Sequence, residues 1–411
     1  MLAGRCRAVL PEWLCAVAKL GRHVPSELVP VLLDVARVDD SLRSLVMAAG
    51  GQRAQWLAGH NPEWAFGVTD SSASWETGSR DQRLAILRDL RVADPAEARG
   101  RIEDAWKTEP ADVRVEFLSA LEHGLSDSDA PFLESALDDR SKEVRRRASD
   151  LLARFPTSAF VGRMRVRAQP LFSWKRGGLL SRASIEVRLP EESDSAAIRD
   201  GLDPKIFGAQ KVLGEKAAVL VLIISAMPLS HWEEAFQATP EAILKAVEKN
   251  EFARALVTGW TWAALRQRDE KWSEALLDFP IAPHHEFLPK ENLLSILPPA
   301  VQANRLVTAL RADGLKNRDS AAWHSLGALL TGFPGEWPSS LARAVLAALR
   351  SAAGDGIPWH LRPVAESLAI RIPADMLVEA AADWPLDKEG ISNLVELLTF
   401  RHDALSALTQ T

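Results

Sequence analysis

The sequence predicts an all-α protein, an α-solenoid of stacked helical hairpins, and three observations carry that prediction. The first is an echo at 31 residues, in which Asp81, Gln82 and Arg83 recur as Asp112, Val113 and Arg114 and again as Glu143, Val144 and Arg145. The second lies in the apolar positions. Ile86, Phe117 and Ala148 share one register, and Leu90, Leu121 and Leu152 follow four residues later, the spacing of one helix face. The third is a second helix in each unit, since Ile102, Ala105 and Trp106 are matched by Leu133, Ala136 and Leu137. A two-helix unit of this length cannot bury its apolar face alone and must stack on neighbours.

Four segments follow from this pattern: N-terminal helices and a loop over 1–79, a repeat array over 80–162, a basic linker containing Pro and Gly over 163–212, and a second array of helical hairpins over 213–411. Near the N-terminus, Trp13, Leu14, Val17 and Leu20, then Ser26 as a cap before Leu28, Val31, Leu32 and Val35, predict two amphipathic helices. Residues 58–80 are loop-like, and Trp56, Trp64, Phe66 and Trp75 within or beside them predict a loop laid against the body. In the linker, Ile185, Val187 and Leu189 alternate with Glu186 and Arg188, the pattern of a short strand, for which the sequence offers no partner, or of an extended segment laid over the helices. The apolar run over 217–227 predicts a buried element; the β-branching from Val219 to Ile224 also suits a strand, while Gly214, Glu215, Lys216 and Ala217 favour a helix.

Two sequence features mark helix starts in the second half: Ser230 to Glu233 at capping-box spacing, and Thr239 followed by Pro240 and Glu241. A shared closing phrase marks the stops. It reads LLARFP at 151–156, LLDFP at 276–280, LLTGFP at 329–334 and LAIRIP at 368–373. Leucines finish an apolar face, an aromatic ring or Ile plugs the turn, and Pro forbids continuation.

Composition narrows the chemistry. Tyrosine is absent while Trp occurs 14 times, so mechanisms needing a phenol are excluded and Trp supplies the large aromatic bulk of the core. Cys6 and Cys15 fit no disulfide framework and no common zinc spacing. Phosphate loops, dinucleotide turns, zincin helices and nucleophile elbows have no counterpart here. His284, His285 and Glu286 read as a surface loop, because adjacent histidines diverge on any regular element. No cofactor, no metal and no enzymatic activity are expected. Arg5 and Arg7 precede a short apolar run that Pro11 and Glu12 cut, and no apolar run approaches the ~20 residues of a membrane span. The expectation is a cytoplasmic protein without membrane contact.

Charge is uneven. Net charge is −6, yet residues 140–188 hold thirteen Lys or Arg against three acids. The candidate binding residues are therefore Arg140, Lys142, Arg145, Arg146, Arg147, Arg163, Arg165, Arg167, Trp174, Lys175 and Arg176. Such a segment attracts phosphates or an acidic protein surface, unless its cations face the acidic remainder of the same chain.

Residues 117–156, FLSALEHGLSDSDAPFLESALDDRSKEVRRRASDLLARFP, resemble HEAT-like repeats, whose second units often carry Asp-x-x-x-x-Val-Arg; Asp138, Asp139, Val144 and Arg145 fit. With IEVRLPEESDSAAIRDGLDP at 185–204 and AMPLSHWEEAF at 226–236, the stretch also resembles a bacterial family of uncharacterised helical proteins of unknown function. Members of that family often accompany genes for MoxR-type AAA+ ATPases, von Willebrand A domains and SWIM zinc-finger proteins. The likeness is good over residues 80–280 and weak at both ends. It implies a place in a multi-protein system and supplies no catalytic residues. Two functions follow as expectations. The first is a non-enzymatic scaffold for a protein partner with an acidic surface. The alternative is a nucleic-acid-binding module similar to the HEAT-like DNA glycosylases, in which the arginines grip phosphates and Trp174 stacks on a base.

Overall fold

The computed structural model describes residues 5–61, 63–64, 75–178, 182–191, 194–206, 213–280, 290–313, 321–353, 356–357, 361–388 and 390–409. The fold is all-α, and among the described residues the only sheet has two strands. Two compact units form: Met1–Asp70 with Pro299–Thr411, and Ser71–Pro298. This division differs from the four segments read in the sequence. The repeat array, the basic segment and the hairpins that follow share one apolar interior, from Leu84 to Leu293, so 163–212 is an integral part of a unit.

The first unit opens with α1 (Leu10–Lys19), α2 (Val29–Val38) and α3 (Arg43–His60). Pro11 and Pro30 stand in the first turns of α1 and α2, where a missing N–H costs nothing. Ser26 does not cap α2: it starts a single 3₁₀ turn, Ser26–Leu28, behind Pro25. Inside α3, Gly51 has φ +56°, and a Cβ there would stand 2.7 Å from the His23 ring. Only glycine takes both the backbone turn and the close ring, and the helix kinks. Leu14, Leu33, Val46 and Ala49 form the core of these three helices.

The second unit begins with the repeats, α4 (Arg80–Ala93), α5 (Pro95–Ala105), α6 (Ala111–Leu121), α7 (Ala130–Ala136) and α8 (Lys142–Leu152). Ser79 and Gln82 close a capping box on α4, and Asp94 caps α5 ahead of Pro95. The 31-residue echo places α4, α6 and α8 as equivalent helices, and α4 packs on α6 and α6 on α8. Leu87, Leu118 and Leu152 are fully buried between them. The repeated arginine has a structural task. Arg114 bonds the Glu109 carbonyl of its own entry turn and both oxygens of Asp139 in the next, while Arg83 pairs with Glu109 and Arg145 bonds the Asp139 carbonyl. Each arginine so fixes a turn, and Arg83 and Arg114 join consecutive units.

After α9 (Ala159–Ala168), capped by Ser158, come β1 (Phe172–Lys175) and β2 (Ser184–Val187). The strand expected around Ile185 is β2, and its antiparallel partner is β1, with Phe172 opposite Val187 and Trp174 opposite Ile185. The short α10 (Ser195–Arg199) leads to α11 (Glu215–Ser225), α12 (Leu229–Phe236), α13 (Pro240–Val247), α14 (Ala253–Gln267) and α15 (Glu270–Asp278). From Ala217 to Ser225, every residue of α11 is buried. Helix α14 crosses it at Gly259, where a Cβ would stand 2.7 Å from Ile224. Thr239 caps α13 as the sequence predicts, with Pro240 and Glu241 in its first turn. Ser230 does not cap α12; Pro228 precedes that helix, and the Leu229 N–H donates to Gln267 Oε1 instead.

The first unit is completed by α16 (Pro299–Asp313), α17 (Ala321–Thr331), α18 (Ser339–Ala352), α19 (Arg362–Arg371), α20 (Leu377–Ala381) and α21 (Ile391–Thr409). The four closing phrases end α8, α15, α17 and α19. A helix end leaves carbonyls without intrahelical donors and carries partial negative charge, so a guanidinium suits it. Arginines from elsewhere in the same unit fill that role repeatedly. Arg371 donates to the carbonyls of Thr331, Phe333 and Gly335 after α17. Arg401 donates to those of Ala369 and Ile372 after α19, and its other nitrogens hold Glu12 of α1 at 2.6 and 2.8 Å. Arg91, wholly buried, donates to Leu121, His123 and Gly124 after α6 and pairs with buried Asp129 at 2.8 Å.

Candidate functional site

The basic segment runs from the turn before α8 to just beyond β2, and the structure decides what each cation faces. On α8, Arg145 donates to the carbonyls of Asp139 and Arg140, while Arg146 pairs with Glu143 at 3.1 Å and with Asp150 at 3.9 Å. Arg147 reaches back to α6, to Ser119 Oγ and to Glu122 at 2.6 Å; Arg154 joins it on the same carboxylate. Burial pushes the Glu122 carboxyl up, and these two guanidinium groups outweigh it and hold the group below its ordinary range.

On α9, Arg163 and Arg167 converge on Asp200. Arg163 spans both Asp200 oxygens at 3.0 and 2.9 Å and holds Glu134 at 3.0 Å, and Arg167 reaches Asp200 at 2.6 Å. Asp200 is 1% exposed and caps α10, from which Arg199 extends to Asp138 at 2.5 Å. The Arg199 hydrogen bond depresses the Asp138 carboxyl. Three arginines thus meet three carboxylates, and the cluster is neutral. Of these carboxylates, sequence reading placed Asp138 in the HEAT-like motif and passed over Glu134 and Asp200, which lie 29 and 37 residues from Arg163.

On the strands, Lys175 pairs with Glu186 across the register, and Trp174 stacks on Phe236 of α12 with centroids 4.9 Å apart and planes at 12°. Phe172 meets Trp232 edge-on at 4.7 Å. Helix α12 therefore holds both inward-facing rings of β1. Of the eleven candidate residues, four have no side-chain partner among the described residues: Arg140, Lys142, Arg165 and Arg176, all exposed. Exposed Arg182 and Arg188 share that state. The positive field read in the sequence is thus neutralised in part within the chain, at Arg146, Arg147, Arg154, Arg163, Arg167 and Lys175.

The sequence profile of one family covers residues 1–408. The chain belongs to DUF5691, a family of unknown function. No curated protein and no solved structure matches it.

Elsewhere in this DUF5691 chain, an open groove of about 460 Å³ lies along α4 and α6, lined by Leu84, Arg88, Glu116, Glu122 and His123. Among the described residues no group of three or more His, Cys, Asp or Glu is placed to hold a metal ion. His284, His285 and Glu286 lie outside the described residues. Cys6 and Cys15 are free and half-buried. No single described helix is long and apolar enough to cross a membrane; α11 and α12 reach that composition only together, across a 94° bend.

Proposed function

We propose that the chain is a non-enzymatic scaffold that holds a protein partner with an acidic surface, in a system built around a MoxR-type ATPase. One observation carries this reading: the arginines with the look of phosphate grips are engaged by Glu122, Glu134, Asp150 and Asp200, and Trp174 lies flat on Phe236. The cations left over among the described residues, Arg140, Lys142, Arg165 and Arg176 with Arg182 and Arg188, are spread from the turn before α8 to the ends of β1 and β2. Such a set suits a few ion pairs at a protein rim better than the row of phosphates that a duplex presents. Within the repeats, α4 packs on α6 and α6 on α8, and outer helix faces of this kind offer area to a partner.

The test compares the wild type with a variant carrying Arg140→Glu, Lys142→Glu, Arg165→Glu and Arg176→Glu. None of these side chains has a partner among the described residues, so the melting temperature is expected to stay within about 2 °C. Affinity capture from the native cell should recover a defined protein, and the variant should bind it at least about tenfold more weakly. A labelled 30-base-pair duplex bound at micromolar level in 50 mM salt, with affinity falling steeply as salt rises, would overturn the scaffold in favour of nucleic-acid binding.

A further inference from the structure

The ribbon formed by β1 and β2 has two outer edges, and they are treated differently. The Arg188 N–H donates to the Leu171 carbonyl, and Leu171 and Arg188 fall opposite one another when the register is extended by one pair. In an antiparallel ladder bonded and non-bonded pairs alternate, so Ser173 with Glu186 and Lys175 with Ser184 are the bonded pairs. The backbone groups of Phe172 and Trp174 on β1, and of Ile185 and Val187 on β2, consequently point away from the ribbon. The β2 edge is attended: α13 packs beside it, and the Asn250 side-chain amide donates to the Ile185 carbonyl at 2.8 Å. On the β1 edge, the N–H and C=O groups of Phe172 and Trp174 have no protein partner among the described residues.

An unpaired edge is a template for another strand, and backbone polar groups there gain most from an extended peptide. We propose that the outer edge of β1 accepts an extended, acidic segment of a protein partner by strand addition. The inference rests on the scaffold reading and names where the scaffold binds. Two observations set the chemistry of the occupant. Phe172 and Trp174 are anchored on Trp232 and Phe236, so the edge is held rigid before anything binds. Arg176, just past β1, and Arg182 and Arg188, which flank β2 one strand further in, have no carboxylate partner among the described residues, so the ribbon offers an incoming strand unneutralised positive charge. Lys175 follows Trp174 on the exposed face, and a charged residue on so short an edge disfavours pairing with a second copy of the same strand.

The experiment uses the full chain and two fluorescein-labelled ten-residue peptides, alternating Glu-Val and alternating Lys-Val, followed by fluorescence anisotropy at 50 mM salt. The acidic peptide is expected to bind at least about tenfold more tightly than the basic one. Trp174→Pro and Trp174→Ala both lose the ring, but only the proline removes the outward N–H while leaving the β1–β2 bonds in place. Binding to Trp174→Pro should be about fivefold weaker than to Trp174→Ala, the effect of one backbone hydrogen bond. Hydrogen exchange on the unmodified chain settles the matter if either variant fails to fold: the amides of Phe172 and Trp174 should gain protection when the acidic peptide is added. Equal affinity for the two variants, absence of that protection, or a concentration-dependent dimer that Trp174→Pro abolishes would overturn the proposal. A captured native partner that binds Trp174→Pro and Trp174→Ala alike would overturn strand addition and leave the scaffold standing; capture of no partner, with a duplex bound instead, would overturn both.

Discussion

Replacing Arg91 with methionine keeps most of the side chain's length and removes its charge from a site with no access to water. Both Arg91 and Asp129 have side chains that are 0% exposed. The guanidinium donates to Asp129 at 2.8 and 3.1 Å and to the carbonyls of Leu121, His123, Gly124 and Pro95. Without it, those carbonyls lose a donor in a dry interior. Asp129 keeps Arg99 and the Ser126 N–H, both at 3.0 Å, so its charge is not wholly abandoned. Breaking a buried ion pair from one side costs about 3–5 kcal/mol, and the surviving Arg99 contact places this case near the lower end, about 3 kcal/mol. With a urea dependence of about 2 kcal/mol per molar, the unfolding midpoint should fall by roughly 1.5 M. Urea titration followed by circular dichroism measures the shift, and hydrogen exchange should place the loss in α6 and α7, since a chain of two units need not unfold in one step. A decrease below about 0.3 M would refute the assignment of Arg91 as the buried clamp of the repeat array. The pH dependence gives a second handle. Burial pushes the Asp129 carboxyl up, but Arg91, the Ser126 N–H and Arg99 prevail and hold it below its ordinary value. A depressed carboxyl stabilises the fold above its unfolded pKa of about 4, and that contribution is lost as pH falls through the folded value. The gap between wild type and Arg91→Met should therefore be full at pH 7 and narrow below about pH 4.

Gly259→Ala places a methyl 2.7 Å from Ile224 Cβ and Cγ2 and 3.2 Å from the Val221 carbonyl; overpacking at the crossing of α11 and α14 should cost about 1–3 kcal/mol, read as a lower melting temperature. His231 has its pKa lowered by burial first and by Arg165 second, with Glu234 opposing, so the unfolded chain binds the proton more readily than the folded one. Stability should fall as pH drops below about 6.5, and His231→Gln should flatten the curve between pH 7 and 5 in a thermal-shift series.

What was legible in the sequence was local. The i, i+4 apolar spacing of Ile86 with Leu90 and of Phe117 with Leu121, the Thr239 cap and the proline that ends each closing phrase all act within a turn or two of chain, and each marks a helix or a helix end found in the structure. The Ser230 capping box misled because the N–H at the start of α12 is met by Gln267, 38 residues onward. The strand at Ile185 was readable from its alternation, but its partner Phe172–Lys175 was not, since four residues beside a 3₁₀ turn carry little pattern. The candidate site was the least legible. A run of arginines reads as a positive patch until Asp200, 37 residues beyond Arg163, is brought to it, and nothing in the local composition announces that meeting. The same limit hid the capping arginines, Arg371 and Arg401, whose carbonyl partners lie 29 to 40 residues away.

The contact of Arg401 with Glu12 spans 389 residues. A ribosome that has just made α1, α2 and α3 must add the whole of Ser71–Pro298 before the helices that complete their unit begin to emerge. At about 5–20 residues per second, the early helices wait roughly 10 to 45 seconds with an apolar flank uncovered, while the middle of the chain is free to fold ahead of them. The order of completion is thus inside first and ends last, and the nascent N-terminal segment is the stretch on which a chaperone would have most to do.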